Sequence, residues 1–402
     1  MSAVIILFSL IGIAAGKIPL LRMNRATIAF AGAALLIASG ALTYSEALES
    51  VDLNTIVLIF AMMVINANLK LSGFFRLSGR FITRKADTPE ALLAWIIVIS
   101  AVLSALFLND TIVLMMTPLV IEIALLAARN PLPYLIALAV SANIGSAATF
   151  IGNPQNILIG AVSGIPFFTY TLKALLPSAF GLAVSWLIIK TVFRKEFDRS
   201  HFAISPSSGI PVYKPLLYKC FFSIAILAAG IAAGFPVTQS ALVSAAFLVI
   251  TRRVNPGRVF SDIDFSILVF FSGLFVITGA LSQLDFYKTL ISASGNLISE
   301  SIPLFSAVSL ILSNIVSNVP AVMLLRPVAE QSARPEVMWS ALALSSTYAG
   351  NLTLLGSVAN LIVAETAARM NIKLSFTDYL KAGLPITIIT TAAGALFLML
   401  IS

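Results

Sequence analysis

The sequence predicts an all-α polytopic membrane protein built from two inverted-topology repeats, each with a re-entrant helical hairpin and a broken transmembrane helix. Three observations carry that prediction. First, of 402 residues 59% are hydrophobic and only 10% charged, against about 25% charged in an ordinary soluble domain. Second, nearly uncharged stretches recur from end to end, long enough to cross a hydrocarbon core of about 30 Å as helices. Third, polar and helix-breaking residues interrupt those stretches at matching places in the two halves of the chain.

In order, the first half predicts spans at 2–16, 26–42 and 53–70, a pair at 91–108 and 110–128, an interrupted span at 133–165 and a last one at 171–193. The second half predicts 216–233, 237–251, 264–282, a pair at 302–317 and 319–331, an interrupted span at 338–368, and 380–401. Residues 194–214 gather Ser, Pro and Gly and read as a cytoplasmic linker. The expected division is therefore 1–193, a linker at 194–214, and 215–402. The opening apolar stretch has no basic leader and no clear cleavage site, so it reads as a first span.

Basic residues should collect on the cytoplasmic side. With each pair treated as a hairpin that enters and leaves on one face, 21 of the 25 Lys and Arg fall on that side, and only Lys173, Lys288, Arg326 and Arg334 on the other. This sorting is read as favouring re-entrant hairpins. It puts both termini on the non-cytoplasmic side of the cell inner membrane. The net charge of +8 serves orientation rather than nucleic acid, since no aromatic platform is interleaved with the basic residues.

The repeat rests on three matched stretches. Val51 to Ile59 pairs with Ile263 to Phe271, continuing to Phe74 and Phe286. Ser104, Asn109, Val113 and Pro118 pair with Ser313, Asn318, Val322 and Pro327. Thr149, Gly152 and Asn156 pair with Thr353, Gly356 and Asn360. The offsets fall from 212 to 209 to 204, so order is kept with small deletions. An odd number of crossings between equivalent elements turns the second copy upside down, giving two-fold pseudosymmetry in the membrane plane and two near-equivalent arrangements, one open to each side.

Polar groups at membrane depth are expensive, and their clustering points to a site. The clusters coincide with the repeat: Ser104, Asn109, Asp110 and Thr111 at the first hairpin tip; Ser313, Asn314, Ser317, Asn318, Val319 and Pro320 at the second; Thr149, Gly152 and Asn156 in one interrupted span; Asn351, Thr353, Gly356 and Asn360 in the other. Unwound backbone exposes carbonyl oxygens that suit Na⁺, while half-helix N-termini and freed amides suit an anion. Any one Ser, Thr or Gly is as readily explained by helix packing; the buried asparagines and Asp110 point more to function. Glu122 and Glu365 are the other acids near the membrane, read as structural or loop-proximal.

These motifs resemble the ion transporter superfamily, which holds divalent anion/sodium symporters, citrate-type carriers and arsenite permeases. The stretch from Asn143 to Asn156 is the most specific part, backed by Ala349 to Asn360 and the two tips. In the sodium-coupled carboxylate branch each tip carries a Ser-Asn-Thr triplet; here the equivalents are Leu108-Asn109-Asp110 and Ser317-Asn318-Val319. The resemblance implies solute contacts from Asn109, Asp110, Thr111, Asn156, Asn318, Val319, Pro320, Thr353 and Asn360. It implies ion contacts (Na⁺ or H⁺) from Ser104, Asn109, Asp110, Thr149, Gly152, Ser313, Asn318, Asn351 and Gly356. Asp110 departs from the carboxylate branch and brings arsenite permeases and Na⁺/H⁺ antiporters into view, because a carboxylate beside the site repels a dianion unless it is protonated or holds a cation.

The expected function is a secondary active transporter of the anion-permease type, moving a small inorganic or carboxylate anion with Na⁺ or H⁺; the alternatives are an arsenite/antimonite efflux permease and a Na⁺/H⁺ antiporter. The expected partners are the solute and the lipid bilayer; the resemblance adds a homodimer and, in the arsenite branch, a separate ATPase subunit. No cofactor is expected beyond Na⁺ as coupling ion. One cysteine, Cys220, and one histidine, His201, leave no His/Cys metal set, and with no GxxxxGK[ST] loop and no HExxH the chain is not expected to be an enzyme.

Overall fold

The structure, a computed structural model, describes residues 2–18, 22–197, 212–250, 255–289, 291, 298 and 300–401. Most of the expected linker, including His201, lies outside the described residues. The helices are α1 Ser2–Ala15, α2 Arg25–Ala38, α3 Tyr44–Glu49, α4 Leu53–Ser72, α5 Phe74–Lys85, α6 Pro89–Leu106, α7 Asn109–Leu126, α8 Pro131–Ser146, α9 Pro154–Val162 and α10 Phe167–Val192. They continue with α11 Lys214–Ala232, α12 Val237–Val249, α13 Pro256–Ser261, α14 Phe265–Gln283, α15 Ile302–Val316, α16 Asn318–Glu330, α17 Pro335–Ala349, α18 Val358–Arg369 and α19 Phe376–Ile401. A two-residue antiparallel ladder joins Lys17–Ile18 to Met23–Asn24.

Local chemistry explains the boundaries. Asn130 and Asn153 cap α8 and α9 with a proline in the first turn of each, where a missing N–H costs nothing. Asp52 and Asp264, equivalent across the repeat, both cap the next long helix through their carboxylates. Gly73, at φ +80, ends α4 and turns the chain into α5.

Among the described residues seven helices are long and apolar enough to cross a membrane: α4, α6, α7, α10, α11, α14 and α19. α1, α2 and α12 were expected as full spans but have only 14, 14 and 13 residues, about 20 Å each. Gly16 at φ +74 and Gly40 at φ +72 turn the chain soon after α1 and α2. The basic stretch after α4, read as loop, is instead the amphipathic helix α5, with Phe75, Gly79 and Ile82 buried and Arg76, Arg84 and Lys85 exposed.

The sorting of basic residues does not by itself support re-entrant hairpins. Two full crossings return the chain to the face it left, so charge sorting cannot separate a hairpin from a pair of spans. The fold separates them. The Asn109 N–H donates to Gly152 O at 2.9 Å, placing the first tip at the break between α8 and α9, and the nine residues of α9 run about 14 Å beyond it. The tip therefore stops inside the thickness that the broken helix spans. The second tip meets the break between α17 and α18 through Asn314 Nδ2 to Ala349 O, 3.0 Å.

Packing divides the helices differently from the sequence. α1–α4 pack with α11–α14 in one layer, and α6–α10 pack with α15–α19 in another. Each layer takes half of each repeat. α5 contacts α4 on one side and α6 and α7 on the other, linking the layers. Ion pairs tie the repeats together at Lys70–Asp262 (2.7 Å) and Lys173–Glu336 (2.6 Å).

Candidate transport site

Both expected interruptions are real. α8 stops at Ser146 and the chain resumes helix at Pro154; α17 stops at Ala349 and resumes at Val358. The freed carbonyls need partners, and one asparagine in each repeat supplies them. Asn156 Nδ2 donates to Ser146 O and Thr149 O, both 3.2 Å. Asn360 Nδ2 donates to Gly350 O at 2.7 Å and Thr353 O at 3.0 Å. These acceptors sit at equivalent repeat positions, so the two breaks are stapled in one way.

The breaks also brace each other. Asn143 Nδ2 donates to Asn360 Oδ1 at 3.1 Å, and at the equivalent position Thr347 Oγ1 donates to Asn156 Oδ1 at 3.3 Å. Reciprocal bonds of this kind are what a two-fold axis between the breaks requires. Around them Asn143 Nδ2 reaches Asn351 Oδ1 (2.9 Å), Ser357 Oγ reaches Asn143 Oδ1 (3.1 Å), and Asn153 Nδ2 reaches Ser146 Oγ (2.9 Å) and Thr347 Oγ1 (3.2 Å). Asn143, Asn153, Asn156, Thr347, Asn351 and Asn360 are each at most 2% exposed.

The first tip joins this network. Asn109 Nδ2 donates to Asn143 Oδ1 at 3.2 Å, its Oδ1 accepts the Asp110 N–H at 2.9 Å, and Thr149 Oγ1 donates to Ala105 O at 2.5 Å. Asp110 and Thr111 are half-buried at the start of α7.

At the second tip Asn318 and Thr353 are half-buried and Val319 and Pro320 buried. Asn318 Oδ1, Asn314 Oδ1 and Ser313 Oγ are buried with no hydrogen-bond partner among the described residues, and so is Ser104 Oγ at the position matching Ser313. Such orphan oxygens are rare in a satisfied interior. Both glycines abut backbone oxygen. A Cβ on Gly152 would lie 2.5 Å from Ser104 O and Ser146 O, and one on Gly356 would lie 3.0 Å from Asn314 Oδ1, 3.1 Å from Gly350 O and 3.2 Å from Thr353 O. Carbonyl, amide and hydroxyl oxygens thus converge at each break, a donor set suited to a hard cation.

The structure brings the two tips and two breaks together, as the sequence-derived site requires. Glu122 and Glu365 are exposed and outside the buried network. Sequence reading missed the bracing role of Asn143, Asn153, Thr347 and Ser357. Asn143 and Thr347 are unlike in type, so residue matching passed over them; the constant offset of 204 was the signal that could have paired them.

Two inverted repeats, broken helices meeting at a shared polar centre and an apolar exterior define a membrane transporter. The chain belongs to the citrate transporter family, which it matches over residues 5–349. It is 31% identical to the silicon efflux transporter LSI3 of Oryza sativa subsp. japonica, across 94% of this chain and 93% of that one. It is 24% identical to the putative transporter arsB of Dictyostelium discoideum, across 95% and 88%. Among solved structures, the Alcanivorax borkumensis YdaH transporter, described as having an unusual topology, superposes with a TM-score of 0.59 at 16% identity, covering 99% of this chain and 97% of that one; at that identity the likeness concerns the fold.

Proposed function

We propose that the chain is a secondary active transporter that moves a small inorganic or carboxylate anion across the cytoplasmic membrane, coupled to Na⁺ or H⁺, by alternating access. One observation carries this reading: the buried oxygens without partners at Ser104, Ser313, Asn314 and Asn318 stand where both hairpin tips meet both helix breaks. Oxygen donors without net charge suit a coupling cation, and the half-helix N-termini of α9 and α18 offer backbone N–H groups to an anion.

The proposed ion contacts are Ser104, Asn109, Asp110, Thr149, Gly152, Ser313, Asn318, Asn351 and Gly356. The proposed solute contacts are Asn109, Asp110, Thr111, Asn156, Asn318, Val319, Pro320, Thr353 and Asn360. Since the amides of Asn156 and Asn360 already bond backbone carbonyls, they act chiefly by holding those carbonyls in place, while the Asn109 side chain bonds Asn143 and the Asp110 N–H. Both termini are proposed on the non-cytoplasmic side. The ion pairs Lys70–Asp262, Lys190–Glu90 and Lys173–Glu336 each join residues of one face, which supports the division of the loops into two faces; the proposed orientation rests on the excess of basic residues on one of them. A homodimer and, for an arsenite-type activity, a separate ATPase subunit belong to the same proposal.

A second reading, efflux of an undissociated hydroxide such as arsenite or silicic acid, is compatible with Asp110 at the tip and with what two relatives are named for. Reconstituted protein challenged with citrate, sulfate, arsenite and silicic acid, with and without Na⁺ and pH gradients, separates the two. Asn109→Ala and Asn318→Ala are each expected to abolish transport while the protein stays folded; wild-type kinetics in either would remove that tip from the mechanism.

A further inference from the structure

α4 belongs to neither hairpin nor broken helix and packs mainly with α11 and α12 in the other layer. Its Asn66 is nevertheless 1% exposed, and its Nδ2 donates at 3.4 Å to Oγ1 of Thr111, two residues into the first tip helix. The Asn66 Oδ1 has no partner among the described residues. Because the amide N–H is the donor, Thr111 accepts with its oxygen and keeps its own O–H to donate elsewhere. An acceptor from α4 and a donor from the tip therefore stand side by side, next in sequence to Asp110.

Its neighbours are placed differently. Two residues on, Asn68 returns its Nδ2 to Val64 O on its own helix at 2.8 Å, and its Oδ1 is also without a partner among the described residues. In the second repeat the position of Asn66 is taken by Thr278, whose hydroxyl donates to Leu274 O at 2.9 Å on its own helix and reaches Met323 Sδ of the second tip helix at 3.6 Å. Both repeats thus bring a polar side chain of the long helix against the tip helix, and the contact in the first repeat leaves an amide oxygen over beside the tip. A buried amide oxygen in that position calls for a donor.

We infer that Asn66 is a specificity-determining residue of the transport site, contributed by the opposite layer, whose Oδ1 accepts a hydrogen bond from a protonated oxygen of the solute held at the first tip. The inference rests on the transporter reading of that site. It selects for solutes that carry an O–H, since a fully ionised polycarboxylate without a hydroxyl, such as succinate, offers Asn66 Oδ1 only repulsion between acceptors. It also makes the solute shell complete only when α4 and the first tip are together.

The experiment has two arms. On a Cys220→Ser background, which removes the sole native cysteine, Asn66→Cys is treated in vesicles with a membrane-impermeant methanethiosulfonate. Lys85→Cys is the exposed control and Ala137→Cys the buried one. Cys at 66 is expected to react within about tenfold of the exposed control, because the site opens to water during the cycle; reactivity as low as at 137 overturns the inference. In the second arm, proteoliposomes of wild type, Asn66→Leu and Asn66→Asp are compared for arsenite, silicic acid and succinate. Asn66→Leu is expected to raise KM about tenfold with Vmax little changed, while Asn66→Asp, which keeps an acceptor, stays closer to wild type. A fall in Vmax or yield at unchanged KM indicates packing and overturns the inference. Wild type that carries none of the probes removes the substrate reading, while the labelling arm still decides on Asn66.

Discussion

The two helix breaks share one bonding plan, whereas the two hairpin tips that meet them do not. Asn156 and Asn360 bind equivalent carbonyls, and Asn143 and Thr347 bind each other's repeat. The first tip is tied in by backbone and side chain, Asn109 to Gly152 and Asn143, and carries the only acid of the cluster, Asp110. The second tip has Val319 in place of that acid, leaves the amide oxygens of Asn314 and Asn318 without partners, and turns at Ser317 with φ 79 and ψ 158. The breaks thus share a symmetric frame, and the tips differ; on the proposed function that difference would distinguish two ion or solute positions. A transporter with two equivalent arrangements needs the first, and distinguishing solute from coupling ion needs the second.

The largest effect is expected where that frame is tightest. Gly152→Ala drives a methyl group to 2.5 Å from two backbone oxygens that cannot rotate away, at a cost of about 3 kcal/mol or more, with transport lost. Gly356→Ala meets oxygens at 3.0 to 3.2 Å, the nearest on the Asn314 side chain, so a smaller loss is expected, about 1 kcal/mol. Melting temperatures in detergent would rank them; the reverse order would mean that the second break is the more rigid one.

Next come the staples. Asn156→Leu and Asn360→Leu each strand two carbonyls that their amides now satisfy, a destabilisation of about 2 to 4 kcal/mol. The bond sets match, so the two losses should agree within about 1 kcal/mol. Two clearly unequal denaturation midpoints would break the claim that the breaks are energetic copies.

Much of this frame could be read from sequence because the residues that unwind a helix are few and conspicuous. Gly152, Pro154 and Asn156 against Gly356 and Asn360 mark both breaks, and Asn109 and Asn318 mark both tips. What escaped depends on contacts between distant segments. The layering mixes α4 with α11 and α12, and nothing in the order of apolar spans specifies which faces meet. α5 escaped because Arg76, Arg80, Arg84 and Lys85 look like a loop until their spacing is set against Phe75, Gly79 and Ile82 on the other face. Asn66 escaped because a polar residue in a long apolar helix, with Asn68 two places on, gives no hint of the tip it reaches.

The smallest effect concerns the turn residues themselves, where the tips differ in backbone rather than in chemistry. Leu108 turns the first tip at φ −59 and ψ 121, a conformation open to any residue, while Ser317 turns the second at a positive φ that side chains disfavour. Such a residue stores about 1 to 3 kcal/mol of strain. Ser317→Gly removes it but adds about 0.4 to 1 kcal/mol of unfolded-state entropy, so a net gain of about 1 kcal/mol is expected. Leu108→Gly has no strain to relieve and gives up a buried side chain, so its shift should have the opposite sign. Melting curves of the two variants read this directly. Stabilisation by Ser317→Gly with slowed transport would show that the strained turn helps the second tip to move, and destabilisation by both would show that the tips share one ground-state geometry.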